Sequence, residues 1–265
     1  MKKFILLSIL LVFCFSSADA QKRNRKRGGS SITDGKQLMQ IGIGYNLSFI
    51  DPKGLNYAIQ QSNENLMNNS NHFSKLSMTQ GFSGALTWYG KYEDCKHRKL
   101  TSYLFEIGYN NGRQSIDGKS SNTNLISPDN TTKIDLDMHN VSIKYGFMPS
   151  LGNIDIGLGA GLDAGISSLY SNINSLGRKN IETNVNYGVS VFMPIYITFG
   201  KENIFSLGIR PYYQYQINTN NAQKLYNILN INPIQPENTK QLEYRLNNYG
   251  VEFQLCFMLH KLNYH

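Results

Sequence analysis

The chain has 265 residues, of which 40% are hydrophobic and 17% charged, with a formal net charge of +8. Its mean hydropathy of −0.37 excludes a bundle of membrane-crossing helices, each of which would need about 20 consecutive apolar residues. The charge is unevenly held: Lys22, Arg23, Arg25, Lys26 and Arg27 carry +5 of it, and the chain from Gly28 onward carries only about +2, so basicity belongs to a tail.

Residues 1–20 read as a signal peptide, with Lys2 and Lys3, an apolar run from Phe4 to Phe15, and Ala18-Asp19-Ala20 before Gln21. Cys14 lies behind Val12 and Phe13, where a lipoprotein signal wants small residues. Residues 21–37 form a basic arm, expected to be solvated and to touch anionic lipid or another envelope protein, with no nucleic-acid role. Cys95 and Cys256 have no metal-binding spacing, no cofactor is expected, and a disulfide between them stays open.

A period of two then begins. Met39, Ile41, Ile43, Tyr45, Leu47 and Phe49 alternate with Gln40, Gly42, Gly44, Asn46 and Ser48, over the length of a tilted membrane strand. Seven more such segments follow, with apolar faces at Phe82–Trp88, Thr101–Tyr109, Val141–Phe147, Ile154–Ile166, Val185–Phe199, Phe205–Tyr215 and Tyr249–Leu259. None of these faces holds a charge, whereas the opposite faces hold Glu106, Lys144, Asp155, Asp163, Arg210 and Glu252. A Lys or Arg facing lipid at mid-bilayer costs roughly 2–4 kcal/mol, so the apolar faces fit a lipid-facing surface. Twelve of the 23 glycines fall on the polar faces, as a narrow, filled lumen requires.

Connections alternate in length. Those near 50–77, 111–133 and 217–242 are long, 90–99 and 168–183 are medium, and 148–153 and 200–203 are short. That alternation assigns the longer set to the outside of the cell and both termini to the periplasm. In this orientation Trp88, Tyr103, Phe147, Phe199, Phe205 and Phe257 gather at the periplasmic edge. Tyr45, Phe49, Tyr109, Tyr187, Tyr213, Tyr215 and Tyr249 gather at the outer edge, forming two aromatic girdles that a soluble sandwich has no reason to build. Gly54–Met67 and Ala222–Leu229 carry helical stripes and read as helices that cap their own barrel. The expectation is an all-β fold: an eight-stranded antiparallel transmembrane up-and-down barrel over residues 38–260, with long external loops and a tail at 261–265.

The stretches VSIKYGFMPS, IDIGLGAGLDAGI, FSLGIRPYYQYQIN and the closing YGVEFQLCFML resemble small outer-membrane barrels of the OmpA/OmpX architecture, especially the PorT-like barrels of Bacteroidota. The resemblance spans Gln40 to Leu259 in layout, and the chain departs from it by continuing with HKLNYH. It implies an outer-membrane location and an association with a secretion apparatus.

Catalysis would need a histidine beside a serine or carboxylate on one face. His72 lies in a loop, His97 in a turn, and His260 and His265 at the C-terminal end, leaving Asp137 with His139 as the remaining pair to consider. A non-enzymatic interaction or assembly component is therefore expected, with a small solute channel as the alternative and an outer-leaflet lipid-modifying enzyme behind it. Register between neighbouring strands would pair Arg210 with Glu252 and Lys144 with Asp155 across a closed lumen.

Overall fold

Side chains that alternate in polarity can be sorted by a sheet only if its two faces meet different surroundings. A computed structural model resolves how this chain does so; it describes residues 35–66, 71–93, 100–120, 131–151, 154–173, 177–199, 205–230 and 236–264. The expected signal peptide, nearly all of the basic arm, and Cys95 with its candidate disulfide lie outside the described residues.

Eight antiparallel strands follow one another up and down. They are β1 (Gly35–Ile50), β2 (Met78–Glu93), β3 (Leu100–Gly118), β4 (Thr132–Phe147), β5 (Ile154–Ile156 and Leu158–Ile173), β6 (Gly177–Phe192 and Ile195–Phe199), β7 (Phe205–Gln216) and β8 (Asn248–Tyr264). Each pairs with its sequence neighbours, and β8 pairs with both β7 and β1, so the sheet closes on itself and leaves no edge. Pairing of Gly35–Met39 with His260–Tyr264 carries the barrel slightly past the 38–260 limits.

The outward face is apolar through the middle of every strand: Ile43, Phe82, Ile107, Ile143, Leu162, Val191, Leu207 and Phe253 are all exposed. The inward face there is polar and buried, from Gln40 and Ser83 to Gln214 and Gln254. At one end the strands are joined by tight connections, and a short pair formed by Ser150–Leu151 and Ile154–Asp155 makes one of them. At the other end lie α1 (Lys53–Glu64), α2 (Gln223–Leu229), a 3-10 turn (Pro236–Leu242) and a small ribbon in which Asn220 and Asn221 pair with Tyr244 and Glu243.

Two expected connections are corrected. Residues 111–118 and 132–138 belong to β3 and β4, and residues 168–173 and 177–183 to β5 and β6, so these strands rise beyond the apolar band as a four-stranded extension. The reason is that the polarity of the two faces reverses at the band's upper limit. On β4, Val141, Ile143 and Tyr145 face outward below it, but His139, Asp137 and Asp135 occupy that face above it, while the inward face changes from Lys144 and Ser142 to Met138, Leu136 and Ile134. The alternation never stops; only its sense changes, as expected where strands pass from an apolar surrounding into water.

The inward apolar residues of the extension join the helices in one core: Ile116, Ile134, Leu136 and Leu169 pack with Leu55 and Ile59 of α1 and Leu225 and Leu229 of α2. Ser62 of α1 and Ser120 both donate to the Leu229 carbonyl, and Asn56 and Asn63 bond the backbone at Leu76 and Phe73. Both sequence-predicted helices are therefore folded down over the barrel mouth, as a cap of its own.

The reversal predicts a height-dependent response. In phospholipid vesicles, Ile143→Lys should lower the unfolding free energy by about 2–4 kcal/mol, whereas His139→Lys, on the same face of the same strand, should cost less than about 1 kcal/mol. Guanidinium titration followed by fluorescence of Trp88, the chain's single tryptophan, measures both.

Candidate functional site

The lumen is filled in layers. Nearest the tight connections, Leu104, Met148, Phe192, Tyr196 and Cys256 form an apolar plug. Glycine makes room for it: a Cβ on Gly159 would sit 2.4 Å from Cζ of Phe192.

Above the plug lies a charged layer centred on Arg210, 2% exposed. Its guanidinium forks onto the Glu106 carboxylate, Nη1 to Oε1 at 2.5 Å and Nη2 to Oε2 at 2.6 Å. It also donates to Glu252 Oε2 at 3.1 Å, Tyr196 Oη at 2.8 Å and Gln254 Oε1 at 2.9 Å. Lys144 Nζ lies 3.6 Å from Glu106 and 3.9 Å from Glu252. Thr87 donates to Glu106 and Asn110 to Glu252, and Phe192 lies under both cations, with ring centroid 5.5 Å from Lys144 Nζ and 5.7 Å from Arg210 Cζ.

Strand order gives this layer its mechanical meaning. Glu106 on β3 and Arg210 on β7 stand four strands apart in a ring of eight, as do Lys144 on β4 and Glu252 on β8, so both pairs cross the lumen from wall to opposite wall. The expected neighbour pair is present as well, since Arg210 and Glu252 are direct register partners.

The expected pairing of Lys144 with Asp155 is corrected: Lys144 stands opposite Glu106 and Gly161 in register. The ladder between β4 and β5 begins only at Phe147 and Leu158, because Ile154–Ile156 pairs instead with Ser150–Leu151 and with the Ile195–Phe199 piece of β6. Asp155 therefore lies below the charged layer, beside Tyr196 in register. Asp163 stands opposite Ser142 and Gly188, next to that layer but outside its direct ion pairs. Tyr196, Gln254, Thr87 and Phe192 were not singled out from the sequence; their only signal was an inward position on the strand.

Amides and hydroxyls occupy the next layer. Tyr212 bonds Asn46 at 2.9 Å and is also bonded to Ser48; Asn248 donates to Gln214, and Gln216 and Asn220 both donate to Asn186. A cavity lined in part by Asn140, Asn186, Gly188, Gln214 and Gln216 amounts to about 10 Å³, room for one water. The apolar cap closes the top. There, burial, reinforced by nearby Glu182, raises the pKa of the Tyr244 phenol, which accepts a hydrogen bond from Asn184.

On the outer surface, several of the aromatic residues singled out from the sequence meet across neighbouring strands. Phe49 meets Tyr249 at 5.3 Å, Trp88 meets Phe105 at 5.5 Å, and Phe199 meets Phe205 at 5.8 Å. Tyr103 covers Gly90 of β2, where a Cβ would lie 1.9 Å from its ring. Asp137 and His139 share a strand face but have different partners. Asp137 takes Arg178 at 2.6 Å and Arg113 at 3.3 Å, while His139 Nδ1 lies 2.8 Å from the Tyr109 hydroxyl.

The chain is thus a closed, eight-stranded, up-and-down antiparallel barrel with an apolar outer band and a filled lumen. No protein-family model matches it, and no curated protein does either. Among solved structures, Ail, the attachment invasion locus protein of Yersinia pestis, in complex with the heparin analogue sucrose octasulfate, aligns over 87% of this chain and 100% of its own at 11% identity and a TM-score of 0.42. Neisserial surface protein A aligns over 88% and 100% at 13% identity and 0.38. The outer membrane protease OmpT from Escherichia coli aligns over 88% and 99% at 7% identity and 0.36.

The cross-lumen pairs predict an asymmetric response to mutation. Arg210→Met leaves Glu106 and Glu252 to share the single cation Lys144 and should cost about 3–5 kcal/mol, whereas Arg210→Met with Glu106→Gln, which leaves Lys144 to Glu252, should regain most of the loss. Unfolding in detergent micelles, with Trp88 as the probe, compares the two.

Proposed function

We propose that this chain is a bacterial outer-membrane barrel, with both termini periplasmic, that does not conduct solutes and serves as a non-enzymatic interaction or assembly component through its capped outer end. The observation that carries the reading is the lumen, barred by ion pairs between opposite walls and roofed by an apolar core. The apolar band supports the location: on β8 it runs from Tyr249 to Leu259, which at ordinary strand rise and tilt spans roughly 25 Å, the height of a lipid-facing band. Having no sheet edge, the barrel can keep every strand paired in lipid.

The polar outer face of the extension and the external loops are the surfaces such contacts would use, with the basic arm on the periplasmic side. Other envelope proteins are the expected partners, and the stretches that resemble PorT-like barrels add a secretion apparatus as their neighbourhood. The separate partners of Asp137 and His139 favour the non-enzymatic reading, since neither is arranged to activate the other.

In planar bilayers the purified barrel should give no stable step openings; defined openings from the unaltered protein would overturn the closed-lumen reading. Orientation is tested on whole cells in a Cys95→Ser, Cys256→Ser background. Gln60→Cys and Lys224→Cys should react with a membrane-impermeant maleimide and Glu202→Cys should not, and the reverse pattern would invert the barrel.

A further inference from the structure

A guanidinium keeps its charge at every ordinary pH, so its partners reveal what it is for. Among the described residues, three of the four arginines rest on carboxylates: Arg210 on Glu106 and Glu252, and Arg113 and Arg178 both on Asp135 and Asp137. Arg245 differs. Half-buried just before β8, it makes no ion pair among the described residues and donates to two neutral oxygens, Nη1 to Tyr215 Oη at 2.6 Å and Nε to Thr219 Oγ1 at 3.2 Å. Glu243, two residues earlier in the ribbon, forms no ion pair with it.

Those two bonds fix the guanidinium and leave donors over. A hydroxyl whose oxygen accepts a hydrogen bond still has its own proton to give, and neither Tyr215 nor Thr219 has a second side-chain partner among the described residues. Nη2 of Arg245 is unspent as well. Asn247 accepts the Gln216 backbone N–H through Oδ1 at 2.9 Å, so its amide nitrogen is a further donor at this height. A fixed positive charge and several N–H and O–H groups thus gather with no carboxylate to answer them, which suits an anion with several oxygens. The height is that of lipid headgroups. Tyr213 is the register partner of Tyr249, where the apolar band ends on β8, and Tyr215 stands two residues, about 5 Å, beyond it. A headgroup layer is roughly 5–7 Å deep on each side of the hydrocarbon. Below, Tyr213, Tyr249, Ile209 and Phe253 are exposed.

We propose that Arg245, with Tyr215, Thr219 and Asn247, binds the phosphate of an outer-leaflet lipid whose acyl chains lie against the band below. The inference rests on the membrane location and orientation proposed above. Planar guanidinium matches two phosphate oxygens at once, and the neighbouring hydroxyl and amide donors are placed to meet the others. The occupant is a lipid and not a free phosphate because the same site borders exposed apolar side chains: a lipid covers both, whereas a free anion leaves that surface in water.

Thermal unfolding of the full barrel in uncharged detergent micelles tests this, with dioleoyl phosphatidic acid, dioleoylglycerol or inorganic phosphate added. Phosphatidic acid should raise the midpoint saturably, by about 2–4 °C, and the other two should not. Arg245→Gln should abolish the response, whereas Lys53→Gln, which removes an exposed cation elsewhere on the outer end, should keep it. Tyr215→Phe, which retains the ring, should move saturation to several-fold higher lipid and serves if Arg245→Gln does not fold. No response in the unaltered barrel overturns the proposal. So does a response that survives in Arg245→Gln or is lost equally in Lys53→Gln, since either means diffuse attraction of charge; an equal effect of inorganic phosphate overturns the lipid as occupant. Flotation with phosphatidylcholine vesicles separates the two readings: a barrel that fails to float refutes the membrane location, and one that floats but ignores phosphatidic acid refutes the phosphate site alone.

Discussion

A backbone in an apolar surrounding must find all its hydrogen-bond partners within the protein, and for strands only a closed ring achieves that. The pairing of β8 with both β7 and β1 is the contact on which the rest depends. Closure of eight strands makes an interior too narrow for an aqueous channel and too wide to leave empty. The alternation that turns apolar side chains outward also turns polar ones inward, so the interior has to be filled with groups that satisfy one another.

The chain meets that demand with bonds across the diameter. A fork from Arg210 to Glu106 ties β7 to β3, and Lys144 to Glu252 ties β4 to β8, so a sheet bonded only between neighbours gains struts between opposite walls. Buried ion pairs contribute little net stability compared with well-packed apolar groups, because desolvation offsets most of the attraction. Here apolar filling would give strands with two apolar faces, and the alternation that sets strand register would be lost. Fixing register and shape is accordingly the stronger reason for the charges than stability.

How much of this was legible in the sequence follows from the range of each interaction. A period of two is local, so strand number, the outward set from Ile41 to Leu259, and the inward set from Gln40 to Gln254 could be read directly. Arg210 with Glu252 was legible because they are register partners on consecutive strands. Arg210 with Glu106 was not, since 104 residues and four strands separate them and nothing in either segment encodes the angle between opposite walls. Lys144 would stand beside Asp155 only if the ladder between β4 and β5 started directly at their short connection; Ser150–Leu151 and Ile154–Ile156 instead form their own pairs first. The upper parts of β3 to β6 resemble loops in the sequence because a lipid-facing strand carries its apolar residues outside, and above the band they are inside.

That reversal also explains why the outer end is folded rather than a set of free loops. Strands that continue into water need a core on their inner face, and the barrel offers them an apolar pit lined by Ile116, Ile134, Leu136 and Leu169. Neither α1, with 12 residues, nor α2, with 7, is long enough to be stable alone. Each becomes stable by burying its stripe, Leu55 and Ile59 or Leu225 and Leu229, in that pit. The two helices thus depend on the barrel for their order, while the barrel's mouth depends on them for its closure. A surface held this way presents its polar residues from a fixed frame, so a partner docking on it would lose little entropy to ordering.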